Sequence, residues 1–233
     1  SLANRLKAPA TINDDALLHQ LLDHYGPAQA MFHNRRAQVL GLTERRVQPA
    51  DLPPLNADHD DDDLSGITAT DPRLLWLGQL LSSREDKFLV ICHTALVAQT
   101  VEKHLRLRLG LKSSCFHEGL DLIARDRSAA YFADPDQGAQ VLVCSEIGSE
   151  GRNFQFAHHL VMFDLPDQAD LIEQRIGRLD RIGQSEPVTI HIPRPAGSEL
   201  ARRFDWFHHG LDLFRAPNPA GAEAHQQLHQ QFQ

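Results

Sequence analysis

The chain has 233 residues, of which 42% are hydrophobic and 23% are charged. This balance is typical of a soluble globular protein and excludes collagen, coiled coils and fully disordered chains. The net charge of −8 argues against a surface that is basic throughout, as in many nucleic-acid binders. The acidic residues are unevenly distributed, since ten of the 31 fall within residues 1–70 and five of those within Asp58–Asp63.

The three cysteines, Cys92, Cys115 and Cys144, are odd in number and lie in apolar surroundings. Such thiols are typical of reduced core positions in a cytoplasmic protein rather than of a disulfide framework. No cysteine or histidine pair has zinc-site spacing, so we expect no metal site. No apolar run approaches the roughly 20 residues of a membrane span, and residues 1–10 lack the apolar core of a signal peptide, so we expect no membrane partner.

The first part of the chain predicts one helix and one long loop. Leucines at helical spacing predict a helix over residues 14–24, which Gly26 and Pro27 end. Prolines and like charges dominate residues 43–72, which predicts a loop or a poorly ordered segment. The Asp58–Asp63 run lacks the glycine and the closing glutamate of an EF-hand, so a solvated loop is favoured over a calcium site.

From Pro72 onward, apolar runs alternate with amphipathic segments. Strands are predicted at residues 87–93, 112–116, 140–144, 159–163 and 187–192, and helices at 73–81, 95–109, 121–132, 169–182 and 200–214. Solid apolar strands that alternate with helices predict an α/β fold, in which helices cover both faces of a parallel sheet. Ligands bind such sheets at the carboxyl ends of the strands, so the residues after His93, Phe116, Cys144 and Phe163 are the first candidates for a site.

The segment Gln174–Gln184 (QRIGRLDRIGQ) is the most informative in the chain. On a helix that continues to residue 182, Gln174, Arg178 and Arg181 share one face, and apolar side chains share the other. Two guanidinium groups aimed at one spot suit a polyphosphate or a phosphoryl group that gains charge. Gly177 inside that helix indicates a close approach, although a solvated basic face remains an alternative.

Three more segments place polar groups at strand ends. Ser145–Phe154 (SEIGSEGRNF) has glycines and serines that suit a backbone cradle for an anion, although a plain turn is equally compatible. The chain contains no Walker A motif. Cys92–Thr94 and Phe116–Gly119 each carry a histidine, and a histidine in such a place is more often a structural hydrogen-bonding group than a catalyst.

Taken in order, these segments resemble the second RecA-like lobe of superfamily 2 helicase-type ATPases, a three-layer, P-loop NTPase-like fold. The pattern Q-x3-R-x2-R-x-G-Q in Gln174–Gln184 matches motif VI of the Snf2 group. Lys87–Thr94 resembles motif IV. Ser145–Phe154 resembles motif V through Gly148, Gly151 and Asn153. The wording is most similar to the bacterial branch that associates with RNA polymerase, and the resemblance extends over roughly residues 25–215, with Gln29–Arg46 similar to the segment that opens the lobe.

The resemblance implies an ATP hydrolase of the helicase or translocase type, which binds ATP with Mg²⁺ between two lobes. Walker A and DExx motifs are absent here, so the N-terminal RecA-like lobe of the same protein would hold most of the nucleotide, and this chain alone would be inactive. The implied partners are double-stranded DNA and the RNA polymerase core, and the implied location is the bacterial cytoplasm at the nucleoid. A non-catalytic polymerase-binding module and a generic superfamily 2 DNA or RNA helicase lobe are the alternatives; the DEAD-box type has a histidine where Gln174 stands.

The resemblance also implies roles for individual residues. Arg178 and Arg181 would be catalytic arginine fingers, and the nucleotide contacts would be Gln174, Gly148, Glu150 and Gly151. The phosphate backbone of DNA would be held by His93, Thr94, His117, Gly119, Ser145 and Glu146. The chain would divide into an opening helical or extended segment (1–46), an acidic proline-rich linker (47–71), the lobe (72–215) and a tail (216–233).

Overall fold

The computed structural model describes residues 43–55, 67–146, 154–181 and 183–214. The helix predicted at residues 14–24 and the Asp58–Asp63 run lie outside these ranges. Six strands form one parallel sheet in the order β1-β6-β5-β2-β4-β3. The strands are β1 (Arg45–Leu52), β2 (Phe88–Cys92), β3 (Ser113–Phe116), β4 (Val141–Ser145), β5 (His159–Met162) and β6 (Val188–Pro195).

The central strands are buried on both faces, as their solid apolar sequences predict. Every residue of β2 and of β4 is buried. Because successive side chains of a strand point to opposite faces, β2 contributes to two separate cores. Phe88 and Val90 pack into one core, and Leu89 and Ile91 into the other.

In the described part of the chain, five α-helices cover the two faces of the sheet. They are α1 (Pro72–Ser82), α2 (Ala95–Leu109), α3 (Leu122–Ala133), α4 (Ala169–Ile176) and α5 (Glu199–Asp205). Leucines and valines of α1 and α2 pack on one face, whereas Phe132 of α3, Ile172 of α4 and Phe204 of α5 pack on the other. The predicted three-layer α/β fold is therefore confirmed.

Polar residues at the starts of the helices fix where they begin. The side chains of Asp71, Thr94, Asp121 and Ser198 each accept a hydrogen bond from a backbone N–H in the first turn of α1, α2, α3 and α5. The predicted bounds of α2, residues 95–109, agree with the structure. Among the described residues, no helix is long and apolar enough to cross a membrane.

The predicted loop at residues 43–72 is wrong in its first part, because Arg45–Leu52 forms β1 at the edge of the sheet. This strand pairs in parallel with β6 along all eight of its residues. Pro49 suggested a loop, but an edge strand tolerates proline, whose missing N–H lies on the side without a neighbouring strand. The remaining boundaries of the predicted division of the chain stay predictions.

Two helices are shorter than predicted. The helix predicted at residues 169–182 ends at Ile176, with Gly177 as its C-terminal cap. Of the helix predicted at residues 200–214, only the part up to Asp205 is α-helical. A π-helical turn follows over Trp206–Gly210. In both cases the apolar periodicity continues beyond the helix, because the turn that follows also packs its apolar side chains into the core.

Candidate nucleotide and nucleic-acid site

The sheet order brings the predicted polar segments together at one edge. The neighbouring strands β5, β2, β4 and β3 are all parallel, so their carboxyl ends meet on the same side of the molecule. Asp164, His93, Glu146 and His117 follow these strands in that order. The structure thus places the segments that resemble motifs IV and V side by side.

Arg175 of α4 is the central group of this edge, and its side chain is fully buried. Its Nε donates to Glu146 at 3.0 Å, its Nη2 to Asp164 Oδ1 at 3.0 Å, and its Nη1 to the Asp164 carbonyl at 2.5 Å. Burial opposes the charge, but Asp164 and Glu146 outweigh it and raise the pKa of the guanidinium. The other carboxylate oxygen of Asp164 accepts from the His93 N–H at 2.7 Å, so one arginine links the ends of β2, β4 and β5.

A second set of contacts fixes the loop after β3. The Ser145 hydroxyl donates to Glu118 Oε2 at 2.5 Å, and this hydrogen bond lowers the pKa of Glu118. His117 is buried, with Nδ1 accepting from the Gly119 N–H at 3.1 Å and Nε2 lying 3.0 Å from the Gln99 amide. A Cβ at Gly119 would lie 3.0 Å from that ring nitrogen, so a side chain at this position would displace the imidazole by a few tenths of an ångström.

The six residues predicted to contact DNA therefore fall into two groups. His93, Thr94 and Gly119 are exposed. The side chains of His117, Ser145 and Glu146 make the internal hydrogen bonds described above. The Thr94 hydroxyl also accepts from the Val97 N–H as the cap of α2. The exposed members of the predicted set are therefore the His93 and Thr94 side chains and the backbone of Gly119.

The predicted pairing of Arg178 and Arg181 on one helix face is wrong, because α4 ends at Ile176 and both arginines lie in the turn 177–181. Arg178 is 8% exposed and lies near the end of β4. Burial raises the pKa of Cys144 in that strand, and the positive charge of Arg178 partly opposes this rise. Arg181 is exposed and folds back, with Nε donating to the Gly177 carbonyl at 3.0 Å. Gln174 stays exposed on α4.

The turn 177–181 is nevertheless joined to the segment that resembles motif V. The Phe154 N–H donates to the Arg178 carbonyl at 3.0 Å, and Gln184 Nε2 donates to the Leu179 carbonyl at 3.0 Å. Gly148, Glu150 and Gly151 lie outside the described residues. The residues on either side, Glu146 and Phe154, are held by Arg175 and by Arg178 respectively.

Arg45 of β1 holds the same turn from the other side. Its Nε donates to Asp180 Oδ2 at 2.6 Å, and its two terminal nitrogens donate to Glu173 Oε1 and Oε2 at 3.0 and 3.1 Å. The side chains of Arg45 and Asp180 are 4% and 1% exposed. This is a forked ion pair between the edge strand, α4 and the turn.

Reasoning from the sequence missed the structural roles of Arg175 and Arg45. A signal for Arg175 was present, since it lies between the buried Ile172 and Ile176, and since Glu146 and Asp164 each follow a buried strand. Arg45 had no comparable signal, because its acidic partners lie 128 and 135 residues further along the chain.

The donor set suits a phosphate more than a metal ion. Arg181 and Gln174 offer exposed N–H donors and Arg178 is close by, whereas metals need grouped carboxylate, imidazole or thiolate ligands. Within the described parts of the chain, no group of three or more such ligands is arranged to hold a metal ion. The cysteines Cys92, Cys115 and Cys144 are free thiols, and burial raises the pKa of Cys115 to about 12.

Comparison with protein families identifies two consecutive regions. Residues 72–183 match the helicase conserved C-terminal domain, and residues 187–233 match the C-terminal region of the RNA polymerase recycling family. Among curated proteins, the chain is 46% identical to the RNA polymerase-associated protein RapA of Pseudomonas putida in an alignment that covers 88% of this chain and 24% of that protein. RapA of Stutzerimonas stutzeri is 44% identical in an alignment that covers 93% of this chain and 26% of that protein. The chain thus spans about a quarter of the length of these relatives.

Solved structures agree on the fold. The C-terminal domain of the DEAD-box protein Dbp5 superposes with a TM-score of 0.53 at 17% identity, covering 72% of this chain and 85% of that one. The C-terminal part of the Fun30 ATPase domain superposes with a TM-score of 0.51 at 16% identity, covering 73% and 54%. At these identities the likeness concerns architecture alone, and it confirms the RecA-like arrangement expected for the lobe.

Proposed function

Because the chain carries a helicase conserved C-terminal domain followed by the C-terminal region of the RNA polymerase recycling family, we propose that it is the second lobe of an ATP-driven translocase on double-stranded DNA that acts on RNA polymerase. One observation carries the proposal. The side chain of Arg175 binds Glu146 and the carbonyl of Arg178 accepts from Phe154, so the arginine-bearing turn is attached to the described residues on either side of the glycine-rich segment, at the carboxyl edge of the sheet.

In this proposal the turn 177–181 faces the nucleotide. Arg178 and Arg181 stabilise the negative charge that develops on the phosphoryl group, and Gln174, Gly148, Glu150 and Gly151 line the edge of the nucleotide cleft. A first lobe would supply the Walker A and DExx residues and the Mg²⁺ ligands, since the chain contains neither motif. The chain by itself would then hydrolyse no ATP.

The exposed groups at the same edge suit contact with DNA that does not depend on base sequence. His93, Thr94 and the backbone of Gly119 offer small polar groups, which are adequate for phosphate oxygens and reach no base edge. Glu146 and Ser145 would act here by holding the loops in place. The free thiols agree with a reducing compartment, and we place the protein in the bacterial cytoplasm at the nucleoid.

The decisive test uses a chimera in which this chain replaces the matching quarter of RapA from Pseudomonas putida. Arg178→Ala and Arg181→Ala should each lower the kcat for DNA-stimulated ATP hydrolysis by about 10³-fold or more, because an arginine finger contributes about 10³–10⁵ in rate. Binding of a fluorescent DNA duplex should stay within about threefold of the unsubstituted chimera. Full turnover in either variant would refute the finger assignment, and ATP hydrolysis by the isolated chain would refute its role as half of a two-lobe site.

A second function is favoured by the match of residues 187–233 to the RNA polymerase recycling family. The chain would then dock RNA polymerase through its C-terminal part, and the arginines of the turn 177–181 would be structural. In that case purified polymerase core should bind the isolated chain equally well with and without Arg178→Ala, while the chimera variants keep their ATP turnover.

A further inference from the structure

The turn 177–181 is braced in two different ways. Short-range backbone hydrogen bonds, such as Asp180 N–H to the Ile176 carbonyl at 3.0 Å and Arg181 N–H to the Leu179 carbonyl at 3.1 Å, fix its local shape. These bonds do not determine how the turn is oriented against the sheet. Longer-range contacts do so, and one of them is the buried ion pair that joins Asp180 to Arg45.

Asp180 occupies the position between the two arginines of the turn. Its carboxylate is 1% exposed and lies 2.6 Å from Arg45 Nε. The rest of the Arg45 guanidinium is bound to Glu173, on the last full turn of α4. Arg45 therefore fixes both the helix that leads into the turn and the residue that precedes Arg181.

We infer that Arg45 is a positioning residue for Arg178 and Arg181, which orients both side chains through Asp180 without touching the nucleotide. This inference rests on the proposed function, because it requires these two arginines to act on a phosphoryl group. A finger must lie within a fraction of an ångström of its productive place, and a displacement of about 1 Å costs roughly 10²-fold in rate.

Arg45 also connects the turn 177–181 to parts of the sequence outside the helicase domain. Residue 45 precedes the segment that matches the helicase domain, and β1 pairs along its whole length with β6, which belongs to the region that matches the RNA polymerase recycling family. Arg45 Nη1 also lies 3.5 Å from the Leu213 carbonyl in that region. The arginine-bearing turn of the helicase domain is thus oriented by a frame built from sequence on both sides of that domain.

The first experiment measures the turn directly, in the isolated chain and without any nucleotide. Amide hydrogen exchange of residues 177–181 should become at least tenfold faster in Arg45→Met. Arg46→Met is the matched control, because Arg46 is the next residue of β1 and its exposed side chain pairs with the neighbouring exposed Glu44. Exchange in the turn should be unchanged in that variant, and unchanged exchange in Arg45→Met would overturn the inference.

The second experiment measures catalysis in the chimera. Arg45→Met and Asp180→Asn should each lower kcat by about 10- to 100-fold with little change in the KM for ATP, because the arginines act on the transition state. Glu173→Gln leaves the contact to Asp180 in place and should keep kcat within about threefold. If Arg45→Met fails to fold, Arg45→Lys retains the charge without the fork and should show the same loss in kcat with a smaller amplitude.

The outcomes separate this inference from the proposed function. Loss of turnover in Arg178→Ala together with normal turnover in Arg45→Met and Asp180→Asn would overturn the positioning role and leave the fingers standing. Normal turnover in Arg178→Ala would overturn the proposed function itself. Equal loss in Arg45→Met and Glu173→Gln, with exchange that becomes faster throughout the chain and not selectively in residues 177–181, would indicate general destabilisation and also overturn the inference.

Discussion

Among single residues, Arg175 and Arg181 of the segment Gln174–Gln184 differ both in burial and in the role expected of them. The side chain of Arg175 is fully buried and satisfies Glu146 and Asp164, whereas Arg181 is exposed. A buried guanidinium with two carboxylate partners is costly to break, because removal of one member leaves the others charged and desolvated. Arg175 therefore secures the edge of the sheet on which the proposed functional residues stand.

This arrangement predicts a large difference between two otherwise similar substitutions. Arg175→Met should lower the free energy of unfolding by about 3–5 kcal/mol, since Glu146 and Asp164 lose their counter-charge inside the protein. Arg181→Met, on the surface, should change it by less than about 0.5 kcal/mol. Urea unfolding followed by circular dichroism measures both, and equal stability of the two variants would show that the Arg175 pairs add nothing to the fold.

At the level of elements, two histidines join three strands, away from the carboxyl ends of the strands where the candidate site lies. His159 opens β5 and stacks on Phe88 of β2 with ring centroids 4.6 Å apart, and its Nδ1 lies 3.0 Å from His191 Nε2 of β6. Burial, followed by the neighbouring His159, lowers the pKa of His191 to about 3. Both rings belong to a cluster that is stable only while His191 is neutral.

Stability should consequently fall with acid in a defined window. In the unfolded chain His191 takes up a proton near its usual pKa of about 6.5, whereas in the folded chain it does so only near 3. The free energy of unfolding should therefore decrease as the pH falls below about 6.5, by roughly 2–3 kcal/mol at pH 4.5 from this group.

His191→Gln tests the source of that loss, because the amide can still hydrogen-bond His159 but does not titrate. Urea unfolding at several pH values should give a shallower decline for the variant between pH 6.5 and 4.5. Parallel curves for the two proteins would mean that other groups cause the acid sensitivity.

The same strands explain which elements the sequence predicts well. β2, β4 and β5 are solid apolar runs, and burial on both faces makes that pattern unambiguous. β1 reads Arg-Arg-Val-Gln-Pro-Ala-Asp-Leu, in which no apolar run or clean alternation is visible. Its strand conformation comes from pairing with β6, a long-range interaction that local sequence does not report.

The end of α4 was predictable from a rule that competed with periodicity. Glycine has a low helix propensity, and Gly177 stands directly after the last residue of α4 as its C-cap, with its backbone in the right-handed region (φ −62°). The periodicity of Ile172, Ile176 and Leu179 favoured a longer helix, because Leu179 is buried although it lies in the following turn. The chemistry assigned to the segment stays a prediction, whereas the helix-face geometry predicted to relate Arg178 to Arg181 was wrong.

For the molecule as a whole, the net charge of −8 limits what the lobe does alone. Several arginines are unavailable to a nucleic acid, since Arg45, Arg73 and Arg175 are buried with acidic partners. The exposed edge near His93 and Gly119 also carries the carboxylate of Glu118. Affinity for DNA would therefore depend on few contacts and on a second lobe.

This predicts weak DNA binding with a shallow salt dependence. Each phosphate contact by a cation contributes about 0.9 to the slope of log K against log salt concentration, so a slope smaller than about 3 is expected for the isolated chain. Fluorescence anisotropy of a labelled duplex, recorded between about 50 and about 200 mM salt, measures this slope. A slope of 6 or more, on the order of that of a dedicated DNA-binding domain, would reveal a basic surface that the described residues lack.

The order of the strands also bears on edge-to-edge association between molecules. Within the described part of the chain, its two outermost strands are β1 and β3. Pro49 interrupts the row of N–H donors along β1, and β3 is only four residues long. Both are devices that discourage a sheet from growing by strand addition between molecules. A sheet whose centre is as apolar as β2 and β4 is thereby protected against aggregation at both margins.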